Sequence, residues 1–284
     1  MKETRPMYWS IRRELWENRS VLIAPLAVAV FVMFGFMIST IGMAARRRVT
    51  MTLPPAQQCK TIAQPYDVAA MVLIMTAIVI AFFYCLDALQ SERRDRSILF
   101  WKSLPVSDKT TVLSKASMPL VVLAYAFIVT IATQISMLIW STLVLLPSGQ
   151  GATTWTRYNL FEQSFILLYG LVALALWHAP IYGWLLLVSA WARRAAILWA
   201  FLPAFAVGAL EKIAFNTTYF GTMLKYRFMG HLKSAFEFKG DRLDSISQLT
   251  PGRFLLTPGL WVGLLFAAAF LALAIRIRRY REPN

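Results

Sequence analysis

The chain has 284 residues, of which 58% are hydrophobic, and its mean hydropathy is +0.56. This composition is too apolar for a soluble domain, and long apolar runs recur along the chain, so we expect a multi-pass membrane protein. The formal net charge is +15, but Lys and Arg cluster at the ends of apolar runs, where anionic headgroups and the positive-inside rule account for them. We expect no nucleic-acid partner, because no basic and aromatic module of a nucleic-acid-binding fold is present.

The N-terminal segment, residues 7–19, has the pattern of an amphipathic helix. One helical face carries Met7, Tyr8, Ile11 and Leu15, and charged residues cover the rest. We expect an interfacial helix on the cytoplasmic leaflet that leads into the first span. Because charged residues run to Arg19 and the first apolar segment is too long, we do not expect a cleavable signal.

Six apolar segments predict an all-α integral membrane protein with a single transmembrane domain over residues 1–284. The predicted spans are residues 20–43, 67–89, 108–146, 165–191, 195–210 and 260–275. A loop over residues 44–66 is expected between the first two spans. At about 1.5 Å per residue, the third helix would be roughly 58 Å long, against about 30 Å for the hydrocarbon core. We therefore expect it to project on the cytoplasmic side.

Residues 211–257 are too polar to span and too rich in aromatic residues for a loose linker. Their spacing predicts amphipathic helices on the outer surface. An even number of spans places both termini in the cytoplasm. The inner segments hold more Lys and Arg than the outer ones, although the outer position of Arg46, Arg47 and Arg48 argues against this orientation.

The loop between the second and third spans combines charge with an apolar patch. In a helix, Ile98, Trp101 and Leu104 fall at positions i, i+3 and i+6. Pro105 ends that turn, and Ser107 followed by an acidic residue predicts the N-cap of the next helix. A basic loop beside a span can also be only a topology signal.

The run Glu92-Arg93-Arg94-Asp95, followed by residues 97–107, resembles the first cytoplasmic loop of bacterial ABC-2 type transporter permeases. The resemblance implies a coupling helix that docks on a separate ABC ATPase subunit, which would hold the ATP and Mg²⁺. It also implies a second copy of the permease and a location in the bacterial inner membrane among its lipids. The partner-docking residues would be Glu92, Arg93, Arg94, Asp95, Ile98, Leu99, Trp101, Lys102 and Leu104. The loop-orienting residues would be Asp87, Pro105 and Ser107.

Catalytic motifs are not found in the sequence. It lacks the P-loop, the His-Glu-x-x-His and the Gly-x-Ser-x-Gly patterns, and His178 and His231 fall on different segments. Cys59 and Cys85 are far apart in the chain, so neither a disulfide nor a metal site is expected. For Asp87 the open alternatives are a pair with Arg93, with Arg94 or with the N-terminal helix, and a role in setting the angle of the loop to the second span. We expect no cofactor in this chain and a hydrogen-bonded structural role for His178.

These observations favour the permease subunit of an ATP-driven exporter over other classes. The almost wholly apolar spans favour a hydrophobic or amphipathic cargo. The alternative is a membrane anchor or sensor that recruits a cytosolic partner without moving a substrate. An intramembrane lipid-modifying enzyme would need a cluster of catalytic groups at one depth, and the sequence shows none.

Overall fold

The computed structural model describes residues 6–94, 107–238 and 243–280. Within these residues the secondary structure is helical, and a single antiparallel bridge joins Phe236 to Leu249. The first helices are α1 (Pro6–Glu17), α2 (Ser20–Ser39), α3 (Met43–Met51), α4 (Pro55–Asp87), α5 (Gln90–Arg94) and α6 (Asp108–Leu145). The others are α7 (Thr153–Arg157), α8 (Leu160–Trp191), α9 (Ala196–Phe215), α10 (Tyr219–Ala235), α11 (Pro251–Leu255) and α12 (Pro258–Tyr280). Two 3₁₀ turns cover Leu146–Ser148 and Ile246–Gln248.

Six of the described helices are long and apolar enough to cross a membrane, namely α2, α4, α6, α8, α9 and α12. The all-helical architecture with six such helices is confirmed. In a bilayer, a helix satisfies its backbone hydrogen bonds within its own segment, which is why apolar runs of this length become helices. Proline lies inside five of the six helices and is absent from the interior of α12.

The expected loop over residues 44–66 is wrong, because helices occupy most of it. Residues 43–51 form α3, and α4 begins at Pro55, where proline at the first helical position has no amide hydrogen to leave unpaired. The side-chain amide of Gln58 donates to the carbonyls of Met51 and Leu53, at 3.0 and 2.8 Å, and ties the two helices together. The fifth and sixth long helices also run beyond their predicted ends, to Phe215 and Tyr280.

Helices α4, α6 and α8 form the centre of the bundle, and α9 lies at its edge. The most apolar stretch of α8 is 67% buried, whereas that of α9 is 11% buried. Helix α12 packs closely on α8 at Gly183, where an added Cβ would lie 3.3 Å from the carbonyl oxygen of Ala267. A small residue at this crossing lets two backbones approach, which is the usual basis of helix association in membranes.

One end of the bundle gathers α1, the α4–α5 corner, the start of α6 and the end of α12, and we call it the termini end. Ile11 and Leu15, on the predicted apolar face of α1, pack against the main core. Tyr8, Trp9 and Trp16 remain exposed. Helix α6 has 38 residues, or about 57 Å, and therefore exceeds the hydrocarbon thickness of about 30 Å.

The opposite end, which we call the far end, is covered by α10 and α11. Trp177, Phe236, Phe254 and Leu260 form a shared core beneath them. Glu211 accepts hydrogen bonds from the backbone N–H groups of Tyr219 and Phe220, at 2.6 and 2.8 Å, and from the Thr217 hydroxyl. Glu211 therefore caps α10, which the sequence did not indicate.

Candidate functional site

The loop between the second and third spans, which we call the central loop, has both of its flanks in contact with one guanidinium group, that of Arg278 near the end of α12. Its Nε donates to Asp108 Oδ1 at 3.1 Å, and its Nη1 donates to Glu92 Oε2. Glu92 lies in α5, just before residues 95–106, and Asp108 is the first residue of α6, just after them. The last long helix is thereby connected to both flanks of the loop.

A second cation joins the loop to the N-terminal helix. Lys115 Nζ, in the second turn of α6, lies 2.9 and 3.1 Å from the two carboxylate oxygens of Glu14. The same nitrogen lies 3.1 Å from Glu92 Oε1. The Tyr84 hydroxyl of α4 donates to Glu14 Oε2 at 2.7 Å. Two buried carboxylates, Glu14 and Glu92, therefore share one buried ammonium.

These contacts define an ionic cluster built by four helices, α1, α5, α6 and α12. Its members are Arg13, Glu14, Glu92, Asp108, Lys115 and Arg278. Three carboxylates balance three cations, which is what burial of charge requires, because an unpaired ion in a low-dielectric interior is costly. Glu14 and Lys115 are 1% and 3% exposed. Burial raises the pKa of Glu14, but Lys115, Tyr84 and Arg13 favour the charged carboxylate more strongly, so the pKa lies below its ordinary value.

Local backbone contacts position the loop flanks. Ser189 Oγ, buried on α8, accepts hydrogen bonds from the backbone N–H groups of Leu89 and Gln90 at 2.9 and 3.0 Å, and so holds the α4–α5 corner. Ser107 Oγ accepts from the Thr110 N–H at 3.1 Å. The predicted N-cap of α6 is confirmed.

The predicted site residues other than Ser107 fall into three groups in the structure. Asp87 Oδ1 lies 4.0 Å from Arg94 Nη1, and both side chains are exposed, so this ion pair contributes little to the stability of the fold. Glu92, predicted to dock on a partner, is buried against Arg278 and Lys115 within this chain, and its docking role stays a prediction. Residues Asp95, Ile98, Leu99, Trp101, Lys102, Leu104 and Pro105, and the side chain of Arg93, lie outside the described part of the chain, and their roles stay predictions.

Sequence reasoning missed Glu14, Lys115 and Arg278, which hold the loop in place. One signal was present for Glu14, since it lies three residues after Ile11 and seven after Met7 and so shares their apolar face. Arg278 belongs to a basic run at the end of the sixth apolar segment, where the positive-inside rule alone accounts for Lys and Arg. No sequence signal distinguishes it from Arg276 or Arg279.

The two histidines, separate in the sequence, meet in the structure. The rings of His178 and His231 have their centroids 5.2 Å apart. His178 Nδ1 contacts the carbonyl oxygen of Leu174 at 3.0 Å, in agreement with a structural role. In the described parts of the chain, no three His, Cys, Asp or Glu side chains are grouped as a metal site would need, and both cysteines are free.

The fold defines a multi-pass membrane protein with a buried ionic cluster at the termini end. Comparison with protein-family models gave no match to this chain, and comparison with curated proteins gave none either.

Proposed function

We propose that this chain is the permease subunit of an ATP-driven exporter of the ABC-2 type, working with a separate ATPase. The observation that carries the proposal is the pair of contacts from Arg278 to Glu92 and Asp108. A loop that only marks topology needs no buried attachment at both flanks. A loop that transmits force does need one, because a push at its tip must reach the spans.

The ionic cluster supplies two routes for that force. Through Arg278 the loop is joined to α12, and through Lys115 it is joined to α1. Closure of an ATPase pair beneath two permease copies would shift the loops, and the helices tied to them would change the openings of the pathway. The ATPase drives this equilibrium only by binding the two states with different affinity. In this proposal ATP and Mg²⁺ are bound by the partner, and both termini face the cytoplasm of a bacterium.

Loop variants test the docking role. Leu99→Asp and Trp101→Glu should abolish stimulation of the partner ATPase and leave membrane insertion unchanged. Leu256→Asp, at an exposed position of the far end, is the matched control and should keep stimulation. If the ATPase copurifies with both loop variants and responds normally, docking on this loop is wrong.

Transport separates the exporter from the alternative of an anchor or sensor. Vesicles that contain the permease and its ATPase should accumulate a hydrophobic or amphipathic solute against its gradient when ATP is added. An anchor would bind the partner equally well and move no solute.

A further inference from the structure

A cavity of about 730 Å³ lies beside the ionic cluster at the termini end. Its walls come from α1, α2, α4, α5 and α6. Small-molecule sites in proteins have volumes of roughly 300–1,000 Å³, so the cavity could hold an organic ligand. Glu92 and Arg94, which the resemblance assigns to partner docking, also line this cavity.

The lining has an apolar part and a polar part. The apolar part consists of Val21 and Ala24 from α2 and of Val79, Ile80 and Phe83 from α4. Val79 and Phe83 are about half exposed, on a surface that faces lipid if α4 crosses the bilayer. The polar part lies nearer the end of the bundle, where α1 and the α4–α5 corner contribute charged side chains. A ligand matched to both parts has an apolar body and a charged group.

The sign of the lining charge selects the ligand. The cavity is lined by four acidic residues, Glu14, Glu17, Asp87 and Glu92, and two basic ones, Arg94 and Lys115. Glu14 and Glu92 are balanced by Arg13, Lys115 and Arg278 of the ionic cluster, so the lining charges that remain are Glu17, Asp87 and Arg94. The side chains of Glu17 and Asp87 keep 45% and 58% of their exposure and are open to a ligand.

Glu17 lies partly within the protein, between charges of both signs. Burial is the largest cause of its upward pKa shift; Arg13 and Lys115 lower the pKa, and the carboxylates of Glu14 and Glu92 raise it. A cation in the cavity would be attracted to the carboxylates of Glu17 and Asp87, which are not shared with Lys115.

We propose that the cavity binds an amphiphilic organic cation, with its apolar body against α2 and α4 and its charge beside Glu17 and Asp87. An anionic amphiphile would bring a like charge to these carboxylates, and a neutral lipid would gain nothing from them. The statement that this cation is the transported cargo rests on the proposed function. The statement that the cavity binds the cation does not.

Binding to the purified full-length chain, without an ATPase, tests the site directly. The probe is tetraphenylphosphonium, measured by equilibrium dialysis against the chain in nanodiscs, with empty nanodiscs subtracted. Tetraphenylborate has nearly the same shape and the opposite charge, so the difference between the two probes reports the effect of charge. We expect saturable binding of the phosphonium and no competition by the borate.

Two kinds of variant locate the probe. Glu17→Gln combined with Asp87→Asn should weaken phosphonium binding about tenfold, the effect of removing two partly exposed charges near a bound cation. Ala24→Phe should weaken it by filling the apolar wall. Glu237→Gln removes an exposed carboxylate at the far end and should leave binding unchanged.

The proposal is overturned if phosphonium binding is absent, if it survives both the charge variant and Ala24→Phe, or if the borate competes equally well. Transport is then measured separately in vesicles with the ATPase. Saturable phosphonium binding without ATP-driven uptake of any tested solute keeps the cation site and contradicts the exporter function. Uptake of another solute without phosphonium binding keeps the exporter and contradicts the site.

Discussion

Arg278 and Asp108, which are 170 residues apart in the sequence, form a salt bridge at 3.1 Å between the last turn of α12 and the first residue of α6. The same guanidinium contacts Glu92 on the other side of the central loop. The contact explains why a basic residue at the end of the last span is buried while its neighbours Arg276 and Arg279 are exposed.

Removal of Arg278 should destabilise the protein strongly. Arg278→Met takes a cation away from the buried carboxylate of Glu92, and loss of one partner of a buried pair costs about 3–5 kcal/mol. The melting temperature of the detergent-purified chain should fall accordingly. Arg276→Met removes the same charge from an exposed position of the same helix and should change the melting temperature little. Equal effects of the two substitutions would contradict the bridge.

Glu14 and Lys115 should behave as an energetically coupled pair. Each of Glu14→Gln and Lys115→Met leaves a buried charge with fewer partners, so both single variants should lose stability. The double variant should lose less stability than the two single variants combined, because neither member of the pair then remains as a charge without the other. Denaturation of the four proteins of this cycle gives the coupling free energy. An additive result would show that the two groups do not interact.

The low pKa of Glu14 predicts acid sensitivity. A carboxylate with a folded-state pKa below the unfolded value stabilises the fold above that unfolded value, about 4.3 for glutamate. This stabilisation is lost as the pH falls from there through the folded-state pKa. Melting temperatures measured from pH 7 to pH 3 should therefore drop below about pH 4. The drop should be smaller in Glu14→Gln, and an identical pH profile for the two proteins would refute the assignment.

Close packing of α8 on α12 should not tolerate a large residue at Gly183. A Cβ there would lie 3.3 Å from the Ala267 carbonyl oxygen and 3.4 Å from its Cα. Gly183→Ile must push the helices apart, and overpacking of this kind costs about 1–3 kcal/mol. Gly35→Ile is the matched control, since no atom lies within 4 Å of a Cβ at Gly35. Thermal unfolding of both variants tests the crossing, and equal stability would place α12 elsewhere.

Features that depend on nearby residues could be predicted from the sequence. The six long helices follow from apolar runs, and the N-cap at Ser107 follows from a polar residue before an acidic first turn. Helix ends were predicted less well, because hydropathy marks the apolar part of a helix and not its polar extension. For that reason α3 and the first turns of α4 were assigned to a loop.

The sequence by itself determined that the chain forms six apolar helices with a charged loop between the second and third. Only the tertiary structure decided which charges are buried, because the partners of Glu92 come from α1, α6 and α12 and those of Lys115 come from α1 and α5. Periodicity and capping act over a few residues and leave a local signal. A buried ion pair depends on the distance between side chains that the fold brings together, and for that distance the sequence carries no local signal.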